Sequence, residues 1–386
     1  MLRRTATIAL ALCALSGAAL AQETVKIGLI LPMTGPFAST GRQIDAAVKL
    51  YVAQNGATVA GKKIEVILKD DTGVADVTKR LAQELVVNDK VAFLAGFGLT
   101  PTILATAPIA TEAKVPAIVM AAGTSIITER SPFIVRTSFT LPQNTLPIAD
   151  WAAKNNIKKV VTLVSDFGPG LDAEKTFKEI FTKAGGTVTA ELRVPVRNPD
   201  FAPFLQRVAD EKPDAVFIFV PSGAGTAVMK QFAERGLDKA GIKLIGTGDV
   251  TDDDILNDMG DVALGTITSM HYSTAHDSPE NKAYVAAFTK ANPQLRPNFM
   301  SVGGYDGMHL IYEALKKTGG KTDGTALVEA MKGMKWVSPR GPISIDPATR
   351  DIVQNVYVRK VERKDGQLYN IEFATFEAVK DPGKAK

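Results

Sequence analysis

The chain has 386 residues, with 45 basic and 41 acidic side chains and a formal net charge of +4. The two signs of charge are interspersed, and the chain has no basic block and no interleaving of aromatic and basic residues, which argues against a nucleic-acid-binding protein. A chain of this length predicts two domains, each with its own hydrophobic core.

The first 21 residues have the pattern of a secretory signal peptide. Arg3 and Arg4 precede an apolar run, and Ala19-Leu20-Ala21 is a small-residue ending of the kind at which such peptides are cleaved. We therefore expect export and cleavage after about Ala21. The single cysteine, Cys13, falls in this segment, so we expect an exported chain without a disulfide.

Apolar and β-branched runs then alternate with apolar residues at helical spacing. The first series of predicted strands covers 25–31, 64–69, 91–95 and 117–120, and the second covers 160–164, 187–194, 215–220 and 243–245. Two such series predict an α/β protein with two doubly wound parallel sheets, and hence two lobes with a ligand cleft at the carboxyl ends of their strands.

After Gly265 the pattern changes. Predicted helices near 279–291, 299–317 and 326–331 precede a strand-rich end that includes a hairpin, 356–373. We expect the charged tail, 380–386, to be frayed.

Two strand ends carry hydroxyl side chains beside glycine. Thr100-Pro101 follows the strand that ends near Gly98, and Thr124 follows Gly123 at the end of the next strand. Thr100 fits the N-cap of a helix and Pro101 its first position. Hydroxyls and free amides at neighbouring strand ends predict a site for a carboxylate or another small anion. The alternative is that both threonines are ordinary helix caps.

The order and spacing of several motifs resemble the periplasmic substrate-binding proteins of the leucine/isoleucine/valine type. The segments that carry the resemblance are 26–41, Asp70-Asp71, 96–102, 121–125, 164–170, 245–249 and Tyr305-Asp306. The resemblance implies a periplasmic protein without a cofactor, in which one ligand is enclosed between two lobes by hinge closure and delivered to a membrane ABC permease. We expect a monomer.

The resemblance also implies that three crossover strands join the lobes, near residues 140, 271 and 345. The amino-terminal lobe would then comprise 22–140 plus 272–345, and the carboxy-terminal lobe 141–271 plus 346–386.

In this family the amino-terminal lobe holds the ligand's carboxylate, and the matching positions are Thr100 and Thr124. The carbonyl of Ala122 matches a group that accepts from an α-ammonium. The positions that match contacts to the ligand's side chain or amine are Thr40, Phe97, Phe167, Ser222, Gly248 and Asp249. The sequence departs from the family where Ser222 and Thr40 replace frequent aromatic residues and where Phe167 lacks a hydroxyl.

Asp249 separates two classes of ligand. If its carboxylate reaches the cleft, it complements an ammonium; if it caps the following helix, a plain carboxylate ligand is favoured. A hydrophobic or branched-chain amino acid is the first interpretation, and an aromatic or 2-oxo carboxylic acid is the second. A ligand-sensing receptor without transport would use the same fold.

Enzymatic and metal-binding interpretations are weaker. The chain has three histidines and lacks the nucleophile-elbow, phosphate-loop and zinc-protease motifs, so we expect no enzyme. The acidic run from Asp249 to Asp254 does not fit a calcium loop, because Asp254 and Gly260 occupy the positions that need glycine and glutamate. His271, His276 and Asp277 are not at helical spacing, so we expect no metal there either.

Overall fold

The structure is a computed structural model that describes residues 23–384, so the predicted signal peptide and Cys13 lie outside the described residues. The first part of the chain alternates strands and helices. Its elements are β1 (Thr24–Leu31), α1 (Ala38–Asn55), β2 (Thr58–Val59), β3 (Lys62–Asp70), α2 (Ala75–Val87), β4 (Phe93–Gly96), α3 (Thr100–Ala113), β5 (Ala117–Val119) and β6 (Ile134–Arg136).

These strands form one sheet in the order β2-β3-β1-β4-β5-β6. All of its pairings are parallel except that of β2 with β3. The central strands are apolar on both faces, as parallel strands covered by helices must be. Ile27 of β1 and Phe93 of β4, which are paired, are both fully buried.

The middle of the chain builds the core of a second sheet. Its elements are α4 (Leu141–Lys154), β7 (Lys159–Ser165), α5 (Gly168–Lys183), β8 (Thr187–Val194), α6 (Ala202–Glu211), β9 (Ala215–Phe219), α7 (Gly225–Glu234), β10 (Lys243–Thr247), α8 (Leu256–Met259) and β11 (Ile267–Met270). These strands run parallel in the order β11-β10-β9-β7-β8. The predicted α/β fold with two parallel-sheet lobes is confirmed.

The last part of the chain contributes helices to the first lobe and strands to the second sheet. Its elements are α9 (Pro279–Ala291), α10 (Phe299–Lys317), α11 (Gly324–Met331), β12 (Lys335–Ser338), β13 (Gly341–Ile345), β14 (Ile352–Lys364) and β15 (Gln367–Val379). Helix α10 packs on α1 of the first lobe, where the rings of Tyr312 and Tyr51 meet edge to face at 5.1 Å. The strands extend the second sheet with antiparallel pairings.

Strand pairing moves one predicted boundary. Residues 335–345 were expected in the amino-terminal lobe, but β13 pairs with β14 of the second sheet, Ile343 opposite Gln354. The backbone hydrogen bonds of β12 and β13 therefore belong to the second sheet. We propose the predicted lobe division with its third crossover between α11 and β12.

The end of the chain is docked as far as Lys384, where fraying was expected. The side chain of Asp381 accepts a hydrogen bond from Ser125 Oγ at 3.0 Å, and Lys384 pairs with the buried Asp351. Residues Pro382–Lys384 form a short 3₁₀ turn. In the described part of the chain, no helix is both long enough and apolar enough to cross a membrane.

Candidate functional site

A cavity lies between the two lobes, at the carboxyl ends of both sets of strands. Thr40, Thr100 and Ala122 line it from the first lobe. Phe167, Ser222 and Asp249 line it from the second.

The two predicted anion-binding threonines are in direct contact. Thr100 Oγ1 and Thr124 Oγ1 are 2.7 Å apart and hydrogen-bonded, and both side chains are buried. One hydroxyl donates to the other, so the accepting hydroxyl keeps its own hydrogen for a ligand.

Neither threonine side chain makes a helix-capping hydrogen bond. The N-cap of α3 is Leu99, so the prediction that Thr100 caps this helix was wrong, and Thr100 is its first residue. Thr124 precedes a 3₁₀ helix, Ser125–Glu129, but its side chain makes no capping hydrogen bond.

Several first-turn amides are not free: Pro101 has no N–H, Thr102 N donates to the carbonyl of Leu99 at 3.2 Å, and Ser125 N donates to Asp172 Oδ2 at 2.9 Å. The remaining amide at the start of α3, that of Thr100, favours a negative charge. We call this amide and the two hydroxyls the anion site.

A third helix from the opposite lobe begins at the anion site. Helix α5 starts at Gly168, where a Cβ atom would lie 2.7 Å from Thr124 Oγ1. The two lobes therefore meet with no room for a side chain at this point. The positive end of the α5 dipole adds to that of α3.

The carbonyl of Ala122 is already engaged. It accepts from Arg136 Nη1 at 3.3 Å and from Ser138 Oγ at 3.2 Å. The same guanidinium donates to the carbonyl of Thr124 at 2.7 Å and pairs with Asp351 at 2.8 Å. A carbonyl with two donors, one of them cationic, is a poor acceptor for an ammonium. These contacts disfavour the role expected for Ala122 toward an ammonium.

The middle of the cavity is apolar and aromatic. Phe167 and Phe219 stack with ring centroids 6.0 Å apart and an interplanar angle of 23°. On the first-lobe side, Phe139 stacks on the buried His271 at 4.9 Å. Both lobes thus offer flat rings to the ligand.

Asp249 and Ser222 form the polar part of the second-lobe wall, which we call the acceptor end. The carboxylate of Asp249 is buried, and Thr247 Oγ1 donates to its Oδ2 at 2.9 Å. Burial raises its pKa to about 7, although Thr247 and the charge of Arg359 act in the opposite direction. Asp249 lies in the 3₁₀ helix Gly248–Thr251 and reaches the cavity, which was the first of the two alternatives.

Ser222 is tied to a second buried carboxylate. Its hydroxyl donates to Asp252 Oδ2, and Asn298 Nδ2 donates to both oxygens of Asp252 at 2.9 and 3.0 Å. Burial raises the pKa of Asp252 to about 7. Within residues 23–384, no group of three or more His, Cys, Asp or Glu side chains is arranged to hold a metal ion.

Two predicted contact residues face away from the cavity. The backbone of Phe97 has a φ of 65°, and its side chain is fully buried in the core of the first lobe. A Cβ on Gly248 would lie 2.1 Å from Arg359 Nη2, so this glycine faces a buried arginine. The resemblance to the family implied that both residues line the cavity, but neither does.

Sequence reasoning missed several apolar residues of the wall. These are Phe37, Phe139, Leu141, Phe219 and Met300. Phe219 could have been found, because it ends β9 at the sheet edge that also carries Phe167 and Asp249. The other four come from loops and helix starts, which a pattern of strand ends does not mark.

Comparison with known proteins places these features in context. A family model described as periplasmic binding protein matches residues 24–367. The chain is similar to Leu/Ile/Val-binding protein homolog 6 of Brucella abortus (strain 2308), with 46% identity over 387 residues that cover 99% of each chain.

Two solved structures are similar along nearly their whole length. A solute-binding protein of an ABC transporter from Rhodopseudomonas palustris BisB5, in complex with 3,4-dihydroxybenzoic acid, is 70% identical with a TM-score of 0.92, over 94% of this chain and 99% of that one. An ABC-transporter solute-binding protein from R. palustris in complex with 4-hydroxybenzoate is 44% identical with a TM-score of 0.91, again over 94% and 99%.

Proposed function

Since this chain belongs to the periplasmic binding protein family and is a solute-binding carrier of ABC transport, we propose that its ligand is a hydroxylated benzoic acid. The observation that carries the proposal is the order of chemistry along the cavity: an anion site, aromatic walls and an acceptor end. The family is one of substrate-binding proteins rather than enzymes.

The anion site suits the carboxylate of such a ligand. Thr100 and Thr124 offer a hydroxyl hydrogen, and the starts of α3 and α5 add amides and the positive ends of two helix dipoles. The buried Arg136, whose charge is balanced by Asp351, donates to the carbonyl of Thr124 and holds this loop in place. Hydrogen bonds from several fixed donors to one carboxylate are stronger than those to a neutral acceptor.

The walls suit an aromatic ring. Phe167 and Phe219 on one side and Phe139 on the other form flat, apolar surfaces. Offset stacking against such rings contributes about 0.5–1.5 kcal/mol beyond the burial of apolar area. A branched aliphatic side chain would gain the burial but not the stacking.

The acceptor end suits a ring hydroxyl. Gly168 follows β7 and Asp249 follows β10, which lies two strands away in the sheet. With a strand spacing near 4.8 Å, their backbones are roughly 10 Å apart. A hydroxyl across the ring from the carboxylate can reach that far. An α-ammonium is separated from its carboxylate by one carbon and finds the carbonyl of Ala122 already occupied.

The name of the Brucella relative favours a second candidate, a branched-chain amino acid. A thermal-shift and calorimetric titration of protein that has been unfolded, stripped of ligand and refolded distinguishes the two candidates. The panel is benzoate, 4-hydroxybenzoate, 3,4-dihydroxybenzoate, leucine, isoleucine, valine and tyrosine. A ligand that binds only the folded state raises the melting temperature.

We expect shifts with the hydroxybenzoates and none with the amino acids. Shifts with leucine, isoleucine or valine alone would refute the proposal and identify an amino-acid carrier. Tyrosine serves as the control for the ring, because it carries a phenol and an ammonium together.

We also propose that the exported chain begins near Gln22 and acts as a monomer in the periplasm. Intact-mass measurement of the protein recovered from the periplasm checks the first statement. Light scattering with and without ligand checks the second.

A further inference from the structure

We propose that Asp252 is a specificity-determining residue of the site: by holding the hydroxyl hydrogen of Ser222, it makes Ser222 an acceptor and selects ligands with a hydrogen-bond donor beside it. This inference rests on the proposed function. It concerns the ring substituent next to the hydroxyl that donates a hydrogen bond to Asp249. Asp252 does not line the cavity, so it is a positioning residue that acts through Ser222.

The direction of the hydrogen bonds follows from the cap of α10. Asn298 is the N-cap of this helix, and its Oδ1 accepts from the amides of Met300 at 3.0 Å and Ser301 at 3.1 Å. The side-chain amide of Asn298 therefore cannot be turned around, and its Nδ2 must point to Asp252. Asp252 also accepts from the amide of Asp254 at 3.1 Å.

Asp252 thus accepts a hydrogen bond from each of these groups, because an ionised carboxylate has no hydrogen to donate. The single hydrogen of the Ser222 hydroxyl is directed to Asp252. What remains for the cavity is the lone pairs of Ser222 Oγ. Ser222 follows β9 and Asp249 follows β10, the neighbouring strand, and both residues line the cavity. Two acceptors at the ends of neighbouring strands match two donors, as on a ring with adjacent hydroxyls.

The set of hydrogen bonds around Asp252 is complete only when the lobes are closed. Ser222 and Asp252 belong to the second lobe, whereas Asn298 begins a helix that packs on α1 of the first lobe. Closure therefore adds the donor that fixes the orientation of the Asp252 carboxylate. Ligands are discriminated in the closed form, in which Asp252 and Ser222 are both buried.

An Asp252→Asn substitution reverses the direction of the Ser222 hydroxyl. Because Asn298 Nδ2 still needs an acceptor, the new amide turns its oxygen toward Asn298 and its NH₂ group toward Ser222. Ser222 then accepts from residue 252 and can direct its own hydrogen into the cavity. A ligand substituent without a donor becomes acceptable there.

The test compares 3,4-dihydroxybenzoate with 3-fluoro-4-hydroxybenzoate, whose fluorine is small and cannot donate. Kd values are measured by calorimetry at pH 8, where Asp252 is mostly ionised. For the wild type we expect the dihydroxy ligand to bind about tenfold tighter, the effect of one hydrogen bond. In Asp252→Asn this ratio should fall to about threefold or less.

Two further variants separate specificity from stability. Ser222→Ala removes the acceptor and should bring the ratio near one. Asn298→Ser keeps a capping hydroxyl for α10 but removes the amide donor; it should weaken both ligands by the same factor and leave the ratio as in the wild type.

A ratio that is unchanged in both Asp252→Asn and Ser222→Ala, with both ligands still bound, would overturn this inference and leave the proposed function intact. If the wild type binds neither hydroxybenzoate, the proposed function itself is wrong. If Asp252→Asn does not fold, the Ser222→Ala ratio decides alone: a ratio near the wild-type value refutes the role of this pair.

Discussion

A single methyl group at Gly168 should prevent tight binding without destabilising either lobe. The Cβ of a Gly168→Ala variant would lie 2.7 Å from Thr124 Oγ1 and 3.3 Å from Thr124 Cγ2. The shorter distance is below any normal contact, so the threonine must rotate or the lobes must stay apart. Gly168 is the first residue of α5 and does not have a positive φ, so alanine fits its backbone.

The magnitude follows from the hydrogen bonds that are lost. Rotation of Thr124 breaks its 2.7 Å hydrogen bond to Thr100, a net contribution of about 0.5–1.5 kcal/mol. It also removes one donor from the carboxylate, and hydrogen bonds to charged groups contribute about 1.5–3 kcal/mol. The sum is about 2–4.5 kcal/mol, which corresponds to a loss in affinity of roughly 30- to 1,600-fold.

Calorimetric titration with 3,4-dihydroxybenzoate measures this loss, and urea unfolding of the ligand-free protein measures stability. We expect the free energy of unfolding to change by less than about 0.5 kcal/mol. A double-mutant cycle provides the control: in a Thr124→Ala background both clashing atoms are absent, so Gly168→Ala should have little further effect. An affinity within twofold of the wild type would refute the view that α5 closes over the anion site.

The other predictions concern the anion site, the acceptor end and the tail. Thr124→Ala loses the same interactions and should weaken hydroxybenzoate binding by a similar amount, and Thr100→Ala should weaken it by about 1–3 kcal/mol, both measured by calorimetry; unchanged affinity in both would remove the site assignment. Asp249→Asn should stabilise the ligand-free protein, by an amount that grows with pH. The folded-state pKa of Asp249, about 7, exceeds its ordinary value of 3.8, so the folded protein binds more protons between these values and loses stability as pH rises through this window. The advantage of the variant in urea unfolding should increase by about 3 kcal/mol from pH 5 to pH 8, and a constant difference would show that Asp249 is not buried as a charge. Truncation after Lys380 removes the contact of Asp381 with Ser125 and should lower the free energy of unfolding by about 1–3 kcal/mol, whereas a truly frayed tail would leave it unchanged.

The sequence predicted those parts of the fold and site that depend on local pattern. The strands and helices of both sheets follow from periodicity, and Thr100 and Thr124 stand out because each lies one or two residues after a glycine at a strand end. Phe97 also follows a glycine, Gly96, but its φ of 65° turns the side chain back into the core. Backbone reversals of this kind leave no sign in the spacing of residues.

What could not be predicted depends on contacts between distant residues. The carbonyl of Ala122 is occupied by Arg136 and Ser138, which are 14 and 16 residues further along the chain. The assignment of β12 and β13 to the second sheet rests on their pairing with each other and with β14, as an extension of that sheet. Neither fact follows from the residues concerned, because each depends on how the whole sheet is ordered.

Both ends of the cavity combine groups from both lobes, and this links affinity to closure. At the anion site, Thr124 of the first lobe touches the start of α5 from the second. At the acceptor end, Asp252 of the second lobe accepts from Asn298, which begins α10 beside the first. A ligand that engages the two ends therefore contributes its binding energy to the closed form alone, and a ligand too short to reach the acceptor end stabilises it less.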